Sequence, residues 1–149
     1  MVTLRSRGFD DLDARTAYDV WRLRQDVFVV EQECPYPDLD GRDVEAGTRH
    51  LTLEVDGVLA GYLRILADPA TGSGSGPMRI GRVLLARAFR GRGLADRLMT
   101  AALEEVGERP SVLDAQVPLA GWYEGFGYVV TGPEFLDDGI PHVPMARPA

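Results

Sequence analysis

Along this chain the spacing of apolar residues switches between the two-residue period of strands and the 3.6-residue period of helices. Val2 to Arg5 predicts a short edge strand, and from about Leu12 to Val30 the period turns helical, with Val20, Leu23 and Val27 on one face beside Ala17, Trp21 and Phe28. Periodicity is lost from Glu31 to Gly47, where Cys34, Pro35, Pro37 and an Asp/Gly-rich segment predict an irregular loop. His50–Val55 and Val58–Leu66 are β-like runs on either side of Asp56-Gly57, a dipeptide suited to the positive φ angles of a type I′ turn, so they should pair antiparallel. Asp68 to Pro77, which contains Thr71-Gly72-Ser73-Gly74-Ser75-Gly76, predicts a flexible loop inside the domain, since too little chain precedes it for a separate one.

Ile80–Leu85 is an apolar strand, after which Leu94, Leu98, Ala101, Ala102 and Val106 recur with a helical period. Ser111–Val117 predicts another strand and Leu119–Phe126 a short helix. Gly127–Thr131 and Val143–Arg147 are the closing strands, with a Pro/Asp/Gly loop between them. The hairpin at Asp56-Gly57 excludes a purely parallel, doubly wound sheet. The element order therefore predicts one α/β (α+β) domain over residues 1–149, a mixed sheet with helices on both faces.

Composition narrows the chemistry. The net charge of −7 disfavours nucleic acid, because neutralising phosphates needs a basic surface; a cationic or amine-bearing acceptor suits it better. All 16 basic residues are arginine, and the absence of lysine excludes a phosphate-loop lysine and a pyridoxal Schiff base. Met1 to Asp11 has no apolar secretion signal, no apolar run is long enough to span a membrane, and the single Cys34 can form no internal disulfide, which together predict a cytoplasmic protein. His50, His142 and Cys34 make no zinc spacing, and Asp38-Leu39-Asp40-Gly41-Arg42-Asp43 fails as a calcium loop because its glycine falls too early and its twelfth position is Arg49. No metal is expected.

The segment Arg90-Gly91-Arg92-Gly93-Leu94-Ala95 joins a strand to a helix N-terminus, where unpaired N–H groups, close backbone approach and nearby arginines suit a pyrophosphate. A plain left-handed turn with solvated arginines would use the same residues. A dinucleotide fingerprint is incomplete, since Asp96 takes its third glycine position. Further on stands Gln116-Val117-Pro118-Leu119-Ala120-Gly121-Trp122-Tyr123-Glu124-Gly125-Phe126-Gly127-Tyr128.

Together these two segments resemble the GNAT superfamily of N-acetyltransferases. The first fits that family's Arg/Gln-x-x-Gly-x-Gly/Ala loop at every specified place, and in the second Gln116, Tyr123 and Gly127-Tyr128 take the places of the family's Asn, Tyr and Gly-Phe. Leu119 stands where an Ala is usual. Leu23–Gln32, Tyr36–Asp43 and Asp138–Met145 extend the resemblance to the ElaA-like branch.

The resemblance implies a mostly antiparallel sheet with one splayed pair of parallel strands, the gap opening beside Val112–Gln116. It implies acetyl-CoA as acyl donor, its pantetheine arm against the backbone of Val83, Leu84 and Leu85, its pyrophosphate on the turn from Arg90 to Ala95, and Gln116 in the cofactor-binding set. It also implies that Tyr123 protonates the departing CoA thiolate, a role open to a positioned phenol, although a tyrosine at that spacing also serves as a core residue. The activity implied is direct acetyl transfer through a ternary complex to the amine of a small molecule or peptide, by a monomer or homodimer that needs neither membrane nor metal. An acyl-homoserine-lactone-synthase-like enzyme and a non-catalytic CoA-binding module remain alternatives. The strand Met78–Leu85 carries no carboxylate, so Glu31, at the end of the first helix, and His50, at the start of the hairpin, are the leading candidates for the base, followed by His142. Cys34 is expected to be structural or to lie on the acceptor side.

Overall fold

A computed structural model of the chain describes residues 1–69 and 75–149; residues 70–74, the centre of the Gly/Ser run for which a flexible loop is expected, lie outside the described residues. An edge strand β1 (Val2–Arg7) leads through a 3₁₀ turn to helix α1 (Ala14–Arg24), whose N-terminus is capped by the Asp13 carboxylate accepting from the Thr16 amide at 2.7 Å. The helix begins two residues later than the apolar pattern predicts, because the cap sets the boundary. Beyond Arg24 it widens into a π-helical segment, Gln25–Glu31, rather than staying α-helical to Val30.

β2 (Arg49–Val55) and β3 (Val58–Ala67) form the predicted hairpin, with Asp56 at φ 49° and Gly57 at φ 83°, both positive as a type I′ turn requires. β4 (Met78–Leu85) continues the meander, helix α2 (Leu94–Val106) crosses over, and β5 (Ser111–Gln116) returns parallel to β4. Helix α3 (Ala120–Glu124) follows, then β6 (Val129–Val130), β7 (Phe135–Asp137) and β8 (Ile140–Arg147). The Pro/Asp/Gly segment expected to be a loop contains β7 and a second hairpin, whose turn repeats Asp-Gly with Asp138 at φ 48° and Gly139 at φ 80°. Asp-Gly was the legible signal for it.

The eight strands make one sheet in the order β1-β2-β3-β4-β5-β8-β6, with β7 also paired to β8. All pairings but β4–β5 are antiparallel. On one face Leu94, Leu98, Met99, Ala102 and Val106 of α2 pack against Leu51, Leu53, Leu63, Ile65 and Ile80, with Tyr123 of α3 in the same core. On the other, Val20 and Val27 cover Tyr62 and Leu84. The mixed sheet with helices on both faces is therefore as predicted. No helix among the described residues is long and apolar enough to cross a membrane.

The aperiodic segment after α1 has no apolar face to dock and is held by charge instead. Arg24, fully buried, lies over the rings of Trp21 and Tyr62, 5.1 and 5.8 Å from their centroids. It donates to Asp38 Oδ2 at 2.9 Å, the Asp38 carbonyl at 2.8 Å and Asp43 Oδ1 at 2.6 Å. Arg64 of β3 grips Asp40 with both terminal nitrogens, at 2.8 and 2.9 Å, and reaches Asp43 at 3.2 Å. Arg82 of β4 donates to the Asp38 carbonyl at 3.0 Å; its Nε also lies 2.8 Å from Asp38 Oδ1, an ion-pair distance without hydrogen-bond alignment. The aspartates that fail as a calcium loop are thus the counterions of three arginines.

Removing one member of such a cluster strands the others in a dry environment. Arg24→Met is therefore expected to lower unfolding free energy by about 3–5 kcal/mol, whereas Asp26→Ala, which removes only an exposed pair with Arg22 at 3.9 Å, should cost at most about 1 kcal/mol. Urea denaturation of both variants measures the contrast, and equal losses would show that the buried cluster contributes nothing special.

Candidate active site

β4 and β5 are paired only at Met78↔Ser111 and Arg79↔Val112, and then part. At the parting point β4 carries a bulge: Arg82 and Val83 together oppose Leu63, with Arg82 at φ 53°. A bulge bends its strand and leaves a residue out of the ladder. The opening so created is a groove whose walls include Val83 and Gly81 of β4, Asp114 and Gln116 of β5, Tyr123 of α3 and His142 of β8. Cys34 and Tyr36, from the charge-pinned segment, close a further side.

Tyr123 is held by aromatic packing. Its ring meets Trp122 at 4.8 Å and Tyr128 at 6.1 Å between centroids, both edge-on. Trp122 is fixed in turn by its indole N–H donating to Asp96 Oδ1 at 2.7 Å, and Tyr128 by a 2.7 Å hydrogen bond between its hydroxyl and that of Ser111. The residue that spoils the dinucleotide fingerprint, Asp96, thus ties α2 to α3. Burial raises the Tyr123 pKa well above that of a free phenol, so the group stays protonated at neutral pH. Its hydroxyl has no hydrogen-bond partner among the described residues.

The turn from Arg90 to Ala95 has Gly91 at φ 80° and Gly93 at φ 73°, both left-handed, with Gly93 immediately preceding α2. A Cβ at either glycine would meet no atom within 4 Å. These glycines therefore answer to backbone conformation and leave open space before the helix N-terminus. Leu94 faces the core and Ala95 is half-buried, so Leu94 can serve a ligand only through its main chain. Arg92 lies over Phe89 at 5.4 Å, and Arg90 makes a bidentate pair with Glu31 at 2.7 and 2.9 Å. Of the Val83–Leu85 run only Val83 lines the groove; the Leu84 side chain packs beneath α1. Gln116 donates to Gln32 Oε1 at 3.4 Å.

The two leading candidates for a base do not line this groove. Glu31 is held by Arg90, whose hydrogen bonds lower its pKa and keep it an ionised partner of the glycine turn. His50 is fully buried on the far side of the charge cluster, with Nε2–H donating to the Asp43 carbonyl at 2.9 Å and Nδ1 accepting from the Tyr62 hydroxyl at 2.6 Å. Neither nitrogen is left for a substrate. Sequence order put His50 beside the loop; the inward face of β2 took it into the core. Cys34 is buried, its thiol donating to the Asp138 carbonyl at 3.3 Å, which joins the loop to the β7–β8 hairpin. Tyr36, which donates to Asp38 Oδ1 at 2.5 Å, is a groove residue that spacing did not single out.

A splayed parallel pair, a bulge facing the opening and a glycine turn at the next helix define the fold class of GNAT acyltransferases. The family described as an acetyltransferase (GNAT) domain matches residues 26–148, and the chain belongs to it. A UPF0039 protein of Mycobacterium tuberculosis is 53% identical over 146 residues, 97% of this chain and 92% of that protein. The crystal structure of Escherichia coli ElaA superposes with a TM-score of 0.89 at 34% identity, covering 99% of both chains. An acyl-CoA N-acyltransferase from Pseudomonas aeruginosa does so with a TM-score of 0.89 at 38% identity, again over 99% of both. The predicted ElaA-like resemblance and GNAT fold are thereby established.

Burial holds the His50 pKa below its ordinary 6.5. As pH falls through that value the unfolded chain binds the proton first, so this residue's contribution to stability declines on the acid side and is constant above it. Urea midpoints of wild type and His50→Gln between about pH 7.5 and 5 should show a steeper acid decline in wild type; parallel curves would mean that His50 is not held neutral.

Proposed function

We propose that the protein transfers an acetyl group from acetyl-CoA to a primary amine in a ternary complex, without a covalent enzyme intermediate. The observation that carries this reading is the conjunction of a protonated tyrosine, without a hydrogen-bond partner among the described residues, with the β4 bulge on the walls of one groove, in a fold whose next helix, α2, opens on a left-handed glycine turn. The pantetheine arm would lie along β4 between the splayed strands, with the main chain of Val83 to Leu85 beside it. The pyrophosphate would take the N–H groups of the turn and the charge of Arg92 and Arg90.

The amine attacks the thioester carbon, the C–N bond forms, and negative charge moves to the carbonyl oxygen, which a main-chain N–H of the bulged strand stabilises. Collapse breaks the C–S bond. Tyr123 gives its phenolic proton to the leaving thiolate and regains one from the amide nitrogen as the product forms. A pKa raised by burial suits this role, because the residue enters the reaction protonated. The locked positions of Glu31 and His50 support neither as the base. Gln116 keeps a place in the cofactor-binding set through its position on the β5 wall.

Thermal-shift titration with CoA and acetyl-CoA, followed by thiol release over a panel of polyamines, lysine peptides and aminoglycosides, tests the reading. Stabilisation without turnover on any amine would favour a CoA-binding module instead. Tyr123→Phe should lower kcat about 10²-fold with little change in acetyl-CoA affinity, and a normal kcat would return Tyr123 to a purely structural role. Gly93→Asn, which tolerates the left-handed conformation better than other side chains, should fill the space before α2 and raise the acetyl-CoA Kd tenfold or more, about 1.4 kcal/mol. Unchanged affinity in the folded variant would remove the turn from the binding site.

A further inference from the structure

The reaction proposed above leaves one proton unplaced. A lysine-like ammonium, with a pKa near 10.4, must be deprotonated before it can attack, at a cost of about 4 kcal/mol near pH 7.4 at 1.36 kcal/mol per pH unit. The group that receives that proton has to reach the groove and hold an unshared electron pair. Of the side chains on the walls, Arg64, Arg79 and Arg82 are cationic; Asp114 is paired with Arg79 at 3.3 Å; Asp137 and Asp138 are exposed carboxylates of the β7–β8 hairpin, intrinsically weaker bases than an imidazole; Tyr36 and Cys34 are already donating; and Tyr123 is the proposed acid.

We infer that His142 is the general base of this site. It lies on β8 directly opposite Gln116 of β5, and residues facing one another across a ladder project to the same side of the sheet. Gln116 and His142 both line the groove, as Tyr123 does. The imidazole Nδ1 is 2.7 Å from the Ile140 carbonyl, which can only accept, so Nδ1 carries the hydrogen. In the neutral ring Nε2 then holds the lone pair, and no residue among those described binds it.

The ring is also held in place, stacked on Phe135 with 5.9 Å between centroids and 25° between planes. This is the usual construction for a base: one nitrogen anchored to fix tautomer and orientation, the other directed to substrate. The charged and titratable groups sharing its surroundings are Asp137 and Asp138 of the β7–β8 hairpin, Asp114 of β5, Arg64 of β3, Arg79 and Arg82 of β4, Tyr123 of α3, and Tyr36 and Cys34 of the loop.

The proton balance then closes. Nε2 takes one proton from the incoming ammonium and releases it to solvent after the cycle, while the second proton lost by the nitrogen restores Tyr123 after it has protonated the thiolate. The net reaction converts ammonium and thioester to amide, thiol and one free proton.

This inference rests on the acetyl-transfer reading, and the test separates the two. With the best primary amine of the panel, His142→Gln should lose at least tenfold in kcat/KM near neutrality and recover toward wild type by about pH 10, as the amine deprotonates itself. With hydroxylamine, a weaker base already unprotonated at neutrality, the variant should match wild type. A wild-type-like pH profile in His142→Gln, or equal losses with both nucleophiles, would overturn the assignment while leaving acetyl transfer intact. Absence of turnover by wild type on every nucleophile would instead overturn acetyl transfer and the base with it.

A second readout does not depend on activity. The chain has two histidines, and ¹⁵N imidazole spectra of the wild type and His142→Gln assign them by subtraction. His142 should be the Nδ1–H tautomer with Nε2 bare, and His50 the opposite, Nε2–H. A His142 carrying its proton on Nε2, or charged throughout the active pH range, could not act as proposed.

Discussion

The groove depends on a loop that the hydrophobic effect cannot hold. Tyr36 to Asp43 offers the core little apolar surface, yet it carries one wall of the site. Its order comes from three arginines delivered by three different elements: Arg24 from α1, Arg64 from β3 and Arg82 from β4. Asp38, Asp40 and Asp43 match them charge for charge, and the main-chain carbonyls of Asp38 and Asp43 accept from Arg24, Arg82 and His50. Burial alone would raise the Asp40 pKa, but the hydrogen bonds from Arg64 and the Arg42 amide, together with the charges of Arg64 and Arg82, outweigh it and bring the carboxyl down to about 2. Such a cluster gives little net stability over an apolar substitute; what it supplies is placement. Arginine suits this work better than lysine because one guanidinium can bridge two carboxylates and a carbonyl in a fixed plane.

From that anchor the positions of the groove residues follow. Arg82 is at once a member of the cluster and the positive-φ residue of the β4 bulge, so the feature that turns β4 away from β5 is tied to the loop facing it. Cys34 extends the same loop to the carbonyl of Asp138, and thus to the hairpin carrying His142. The opposite wall is set by aromatic packing, through Trp122, Tyr123 and Tyr128, and by Asp96, which binds α3 to the first turn of α2. Tyr123 and the glycine turn before α2 are therefore placed relative to the same helix. The Arg90–Glu31 pair joins that turn to the end of the first helix across 59 residues of sequence.

Much of this was legible in order of elements and local chemistry. The two Asp-Gly turns, the glycines before α2 and the Tyr123 spacing are short-range signals, because a positive φ or a helix start is decided by neighbouring residues. The second Asp-Gly turn is obscured in the sequence by prolines on both sides, which give its segment the composition of a loop. Tyr36 was missed because no periodicity marks a residue held by ions. Glu31 and His50 are titratable groups near the right loop in sequence, but each is bound by a partner from another element, Arg90 for one and Tyr62 for the other.

Legible in the amino-acid sequence are the class of fold, the alternation of helix and strand, and a left-handed glycine turn opening a helix. These rest on periods and turn preferences that act over a few residues. Only the tertiary structure decided which polar groups remain free. Whether a carboxylate or imidazole is a base or a structural bond depends on what stands within 3 Å of it, and in this chain those neighbours come from other strands and helices. His50 and His142 both lie on strands, yet one is sealed between Tyr62 and Asp43 while the other lines the groove with its Nδ1 on the Ile140 carbonyl. The inward or outward pleat of the strand, and the element packed upon it, make that difference.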